Sequence, residues 1–238
     1  MSQEILVAGA SMSFLPSDRL LTGYAWDGLT AAASIHPLGR VESTLLLGLG
    51  AGTAVRQIFH LFPRSCMTAV DLDARMIHLA RKALKTHRRR MDIRQADAGE
   101  WVKQATPGRF DLVLDDVYAS GAEDVFRPIL PDIAWVRHLA TLCRPQGLVA
   151  LNLVIGPGHG RVRRQARQAF RHLFAHTGVI RPAKGMNEIL WGSQAKPYRA
   201  GWRQAEGCWD HPSDRRDWRR IGFGRNPAAR VSLKPDRL

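Results

Sequence analysis

The chain has 238 residues, enough to bury the core of one generous α/β domain with terminal extensions, and its 45% hydrophobic content with 21 Gly and 13 Pro excludes wholesale disorder. No apolar run approaches the roughly 18 to 20 residues that cross a bilayer, and the opening MSQEILVAGASMSF lacks the basic region of a signal peptide. The expectation is a cytoplasmic protein with no membrane partner.

The formal charge of +14 is unevenly placed: residues 1–160 hold 17 Lys/Arg against 15 Asp/Glu, whereas residues 161–238 hold 18 against 6. A solvated arginine-rich face is the simpler account of this basic third, and a surface for nucleic acid or another acidic partner is the alternative. Cys66, Cys143 and Cys208 are far apart and form no C-x-x-C pair, so neither a disulfide framework nor a zinc knuckle is expected, and the thiols are expected to be buried.

Along the chain, Ile5-Leu6-Val7-Ala8 is a short apolar stretch, and Leu20, Leu21, Tyr24, Leu29 and Ala32 recur at roughly helical spacing before His36-Pro37-Leu38-Gly39 stops the helix. Residues 1–43 are therefore set apart as an N-terminal segment that offers cover for a site. From Ser43 the pattern alternates. Thr44–Leu47 reads as a strand buried on both faces, Ala54–Phe62 as a helix, Met67–Val70 as a strand and Ala74–Leu84 as a helix.

Ile93 falls on a third strand and Leu112–Leu114 on a fourth. Pro131–Cys143 reads as a helix stopped by Pro145-Gln146-Gly147, Leu148–Val154 as a fifth strand, and Gly160–His176 as a basic helix; Val179-Ile180 and Glu188–Trp191 supply closing strands. This alternation predicts an α/β fold with a mostly parallel, doubly wound, Rossmann-like sheet over residues 44–195. Residues 196–238, rich in Trp and Arg, show no such rhythm and form a basic C-terminal extension.

A glycine turn, Gly48-Leu49-Gly50-Ala51-Gly52, follows the first buried strand directly. Such a turn lets backbone approach a nucleotide closely, and the next helix presents free N–H groups. Its spacing is G-x-G-x-G, with Thr53 in the place where a dinucleotide fingerprint sets its third glycine, which tilts away from NAD or FAD. Asp71 ends the second strand 19 residues after Gly52, where a carboxylate accepts from ribose hydroxyls. Asp73 reads as a helix N-cap. Asp97 follows the third strand, placed to accept from an adenine amino group, with the Ala98 N–H at the ring. The fourth strand closes with Asp115-Asp116-Val117-Tyr118. Strand side chains alternate, so the two acids point to opposite faces; Asp116 is assigned to the site and Asp115 to a structural role.

These segments, with Arg144–Asn152 and Gly185–Leu190, resemble the spermidine synthase-like branch of the class I S-adenosylmethionine (AdoMet)-dependent methyltransferases over about residues 40 to 192. The resemblance implies AdoMet as cofactor, held by Gly48, Gly50, Gly52, Asp71 and Asp97 with Ala98, and places Asp116 at the catalytic edge, where Asp116 or Tyr118 would orient the nucleophile or take its proton. Polyamine-forming members carry an acid where this chain has Ala51 and another where it has Ala119, together with an N-terminal β-rich domain for which 43 residues are few. Methyl transfer to a small-molecule acceptor is the leading expectation. Aminopropyl or aminocarboxypropyl transfer, or internal cyclisation, with release of methylthioadenosine is the second; a catalytically idle or nucleic-acid-binding protein is the third.

Other signals carry less. His172 and His176 stand at i, i+4, but no carboxylate completes a metal set, so no metal is expected. Trp202, Trp209 and Trp218 interleave with arginines, which suits base stacking; anchoring of the tail on its own domain is the favoured account. Gly156–Gly160 lacks the Gly-Lys-Ser/Thr of a phosphate loop and reads as a connection after the fifth strand.

Overall fold

The computed structural model describes residues 4–7, 10–14, 18–121 and 125–226. It opens with an antiparallel hairpin, β1 (Glu4–Val7) and β2 (Ala10–Phe14), followed by helix α1 (Ala25–Ser34). Then come β3 (Ser43–Leu47), α2 (Thr53–Leu61), β4 (Cys66–Asp71), α3 (Ala74–Ala83), β5 (Met91–Gln95), α4 (Ala98–Gln104) and β6 (Phe110–Asp115). A small ladder of β7 (Ala119–Ser120) and β8 (Val125–Phe126) precedes α5 (Ile133–Leu142), β9 (Cys143–Val154), α6 (Gly160–Leu173), β10 (His176–Arg181) and β11 (Asn187–Ser193). The described chain ends with α7 (Ala200–Glu206), α8 (Pro212–Arg219) and β12 (Gly222–Arg225).

Eight strands form one sheet in the order β12-β10-β11-β9-β6-β3-β4-β5. The five strands from β9 to β5 run parallel, as the buried Leu/Val/Ala runs predict, and β11 enters antiparallel between β9 and β10. Alternation divides the core. Leu46, Ala69, Leu112, Leu114, Leu148 and Ala150 face one layer with α1 and α2, while Leu45, Leu47, Val70, Val113, Val149 and Leu151 face the other with α4, α5 and α6.

Several sequence expectations change. The N-terminal helix begins at Ala25, not at Leu20, and every one of its residues is buried. It is an element of the core. Its position is fixed by Asp27, whose carboxylate accepts the backbone N–H groups of Thr22 at 3.0 Å and Gly23 at 2.6 Å, and Nε2 of Gln57 at 2.8 Å. These bonds hold residues 22–23 in a turn, so the apolar spacing at Leu20 and Leu21 does not extend the helix. Burial still dominates, pushing the Asp27 carboxyl up to about 6.

Pro145-Gln146-Gly147 lies within β9 as an irregularity of its register against β6, because a mid-strand bulge absorbs residues that leave the ladder. The basic helix stops at Leu173, and His176 opens β10, so His172 and His176 do not share a helix face. Cys66 and Cys208 are exposed and Cys143 is partly so, since the first two stand at a strand's entrance and beyond a helix end.

Residues 196–226 also have a fold. Trp209 and Trp218 are completely buried and join the same core as α1, with the Trp218 indole N–H donating to the Trp202 carbonyl at 2.9 Å. Arg19 donates to Asp214 at 2.9 Å and to Asp217 at 2.8 Å, both on α8, fastening the N-terminal segment to the extension. The three segments drawn from sequence thus share one core. No helix of the described residues is long and apolar enough to cross a membrane.

Candidate active site

The glycine turn leaves β3 at the carboxyl end of the parallel strands, the edge where open α/β sheets place ligands. Gly48, Gly50 and Gly52 adopt φ of +84°, +53° and +88°. That left-handed backbone is open to glycine at little cost. At Gly48 a second demand applies: an added Cβ would strike the backbone carbonyl of Asp116. The turn therefore lies directly against the end of β6.

Asp71 orients the turn. Its Oδ2 accepts from the N–H of Leu49 at 2.8 Å and of Gly50 at 3.0 Å, and its Oδ1 from the N–H of Asp73 at 2.9 Å. A carboxylate has about four acceptor positions, so one remains on Oδ1. Asp73 caps α3 through the Arg75 N–H at 2.8 Å. Asp97 caps α4 in the same way, its Oδ1 accepting from the Glu100 N–H at 3.0 Å, and Ala98 is buried in the first turn. Gly48, Gly50, Gly52, Asp71, Asp97 and Ala98 thus stand along three neighbouring strand ends. They suit a nucleoside: a close-approach turn, an acid at the second strand and an acid at the third.

Asp115 and Asp116 part company at the end of β6. Asp115 is fully buried, and both its oxygens accept from Arg127 Nη2 at 2.7 Å while Oδ2 also accepts the Trp135 indole N–H at 2.7 Å. Asp116 turns the other way and accepts from Asn152 Nδ2 at 2.7 Å, with the Trp26 side chain as a further hydrogen-bonding neighbour. Burial pushes its carboxyl up to about 7; the Asn152 bond and the positive charge of Arg127 oppose that rise without cancelling it. The group is thus poised to exchange a proton near neutrality.

Tyr118 is differently committed. Its hydroxyl donates to the Asn152 carbonyl at 3.1 Å and accepts from the Val154 N–H at 3.1 Å, and burial raises it to about 12. Both bonds fall on β9, so Tyr118 braces the strand end beside Asp116.

Residues beyond the sequence-derived set complete the corner. Asn187 on β11 donates to Asn152 Oδ1 at 3.0 Å, forming a line Asn187–Asn152–Asp116. Asn152 was visible in principle as the sole polar residue in Leu148–Val154. On the other side Phe14 stacks on Tyr24 with centroids 5.8 Å apart and meets Trp26 edge-on at 5.5 Å. Ser13 donates or accepts with Thr53 at 2.7 Å and takes the Ala51 N–H at 3.0 Å, so β2 is tied to the glycine turn. No periodicity announces Ser13 or Phe14, because their role depends on where the hairpin docks. Among the described residues no group of three or more His, Cys, Asp or Glu is arranged to hold a metal ion.

A methyltransferase domain family model matches residues 45–147. A probable polyamine aminopropyl transferase from Bifidobacterium longum (strain NCC 2705) is 23% identical over 165 residues, which cover 68% of this chain and 35% of that protein. The chain thus spans about a third of the length of this curated relative. A probable spermidine synthase from Corynebacterium glutamicum ATCC 13032 superposes with a TM-score of 0.68 at 22% identity, covering 94% of this chain and 83% of its own. Human methyltransferase-like protein 13, solved with S-adenosylhomocysteine, gives 0.63 at 19% identity over 87% and 96%. The chain has the class I AdoMet-dependent methyltransferase fold, in a spermidine synthase-like form.

Proposed function

We propose that the protein is an AdoMet-dependent transferase that methylates a small molecule. The carrying observation is the contact between the Asp71-oriented glycine turn and the end of β6, which sets a nucleoside-shaped row of groups beside a carboxyl held near neutrality. Asp71 would hold the ribose of AdoMet, and Asp97 with the Ala98 N–H would hold its adenine. Bound AdoMet supplies an electrophilic carbon on a sulfonium. The chain's own part is to bind, orient and deprotonate. Asp116, fixed by Asn152, takes a proton from an acceptor hydroxyl or amine, and Phe14, Tyr24 and Trp26 offer an apolar wall that limits water.

Methyl transfer is favoured over aminopropyl transfer by Ala51 and Ala119. Ala51 is fully buried with its N–H taken by Ser13, and Ala119 pairs with Phe126 across the small ladder. Neither place offers a carboxylate to a cationic polyamine. Transfer of the donor's carbon chain is the second reading, favoured by the similarity to a probable polyamine aminopropyl transferase.

Incubation with AdoMet and candidate acceptors, followed by mass spectrometry of the nucleoside product, separates them. S-adenosylhomocysteine is expected; methylthioadenosine would establish the second reading. Asp71→Ala is expected to abolish AdoMet binding in calorimetry, and unchanged affinity would remove the nucleoside assignment.

A further inference from the structure

At the opposite end of the sheet from the glycine turn lies a cleft of about 850 Å³. Ser193 at the end of β11 pairs with Leu148 near the start of the parallel run of β9, so this end is the one where the parallel strands begin. The cleft opens between the first residues of β10, the loop before α7 and the last residues of β12.

Its walls carry His176, Lys196, Arg199 and Arg225, and among the described residues none that lines it is acidic. Elsewhere the chain pairs many of its cations: Arg163 and Arg167 grip the buried Glu188, Arg19 holds Asp214 and Asp217, and Arg219 meets Glu206. Lys196, Arg199 and Arg225 have no ion pair among the described residues. An excess of cations requires that some stay unpaired. It does not require that they come from three separate segments to one concave wall. A cleft of one sign with low-dielectric walls concentrates its field on what enters.

The remaining wall mixes the polar Thr177 and Asn226 with Pro37, Pro197 and aromatic rings. Trp191 forms part of it, nearly buried, and Tyr198 lies exposed beside it. Two guanidinium forks match the oxygens of a phosphate better than a single carboxylate, and several fixed positive charges call for an anion with more than one negative charge.

We propose that this cleft is a second binding site, distinct from the candidate active site, for a ligand bearing more than one phosphate charge: a free pyrophosphate-type group or successive phosphates of single-stranded RNA. It does not depend on the transferase reading. Inorganic pyrophosphate, which has no base and so avoids a nucleoside pocket, and an oligouridylate serve as probes in calorimetry and fluorescence anisotropy.

Binding is expected at low salt, weakening as salt rises. Arg199→Glu/Arg225→Glu is expected to weaken it by about tenfold or more with the circular dichroism spectrum and melting temperature retained. Should the double variant misfold, Lys196→Glu, at an exposed loop position, makes the same test. Oligouridylate binding tighter than pyrophosphate identifies RNA as the source; equal affinities identify a free phosphorylated compound. Absence of binding by both probes, or affinities unchanged by charge reversal, overturns the proposal.

Discussion

Two neighbouring carboxylates at the end of β6 face opposite ways and meet different partners. Asp115 meets Arg127 and Trp135 in a closed network, whereas Asp116 faces an aromatic corner with asparagine as its partner. The same residue type, one position apart, is ion-paired in the core on one side and held by an asparagine on the other. At Asp116 burial outweighs both the Asn152 bond and the nearby Arg127 charge, so the carboxyl is pushed up.

The largest break in that contrast is Asp115→Ala. It strands the Arg127 guanidinium in the core and is expected to cost about 3–5 kcal/mol in urea unfolding. Asp116→Asn is expected to spare the fold and lower turnover by about 10²–10⁴-fold, as loss of a general base does; a variant with near-normal turnover would remove that role.

The pH dependence sharpens the contrast. Asp116, raised to about 7, and Asp27, raised to about 6, both favour the protonated form when folded. Their contribution to stability is full below the usual carboxylate range and is lost as pH rises through those values. Asp116→Asn should therefore flatten the fall in stability between about pH 4 and pH 8, and be more stable than wild type by about 1–3 kcal/mol at the upper end. Smallest is Tyr118→Phe, which removes two bonds to β9 and is expected to cost about 1 kcal/mol while leaving the pH optimum unchanged; a shifted optimum would assign proton transfer to Tyr118.

What was legible in the sequence follows how far each signal reaches along the chain. Gly48–Gly52, Asp71 and Asp97 sit at strand ends whose spacing is set by strand and helix lengths, so a linear reading locates them. The opposite facing of Asp115 and Asp116 follows from strand alternation. Ser13, Phe14 and Trp26 lie far from Asp116 in sequence and reach its neighbourhood only when the hairpin and α1 dock. The extension was opaque for the same reason: α7 and α8 span seven and eight residues, too short to display a periodic face, and their stability comes from burying Trp209 and Trp218 in the core they share with α1 and α2. Leu20 and Leu21 misled because helical spacing cannot reveal that Asp27 draws the preceding backbone into a turn.

β12 has a bearing on how this protein survives handling. Its four residues, Gly222–Arg225, are the outermost strand of the sheet, short and ending in a charged side chain. Without them the backbone of β10 around Val179 and Ile180 would stand open as a template for other chains to join. Removing the extension would thus provoke self-association before it revealed anything about ligands. Arg225 belongs to both the strand and the cleft, so an anion bound there would also pin the outer margin of the sheet and slow its fraying.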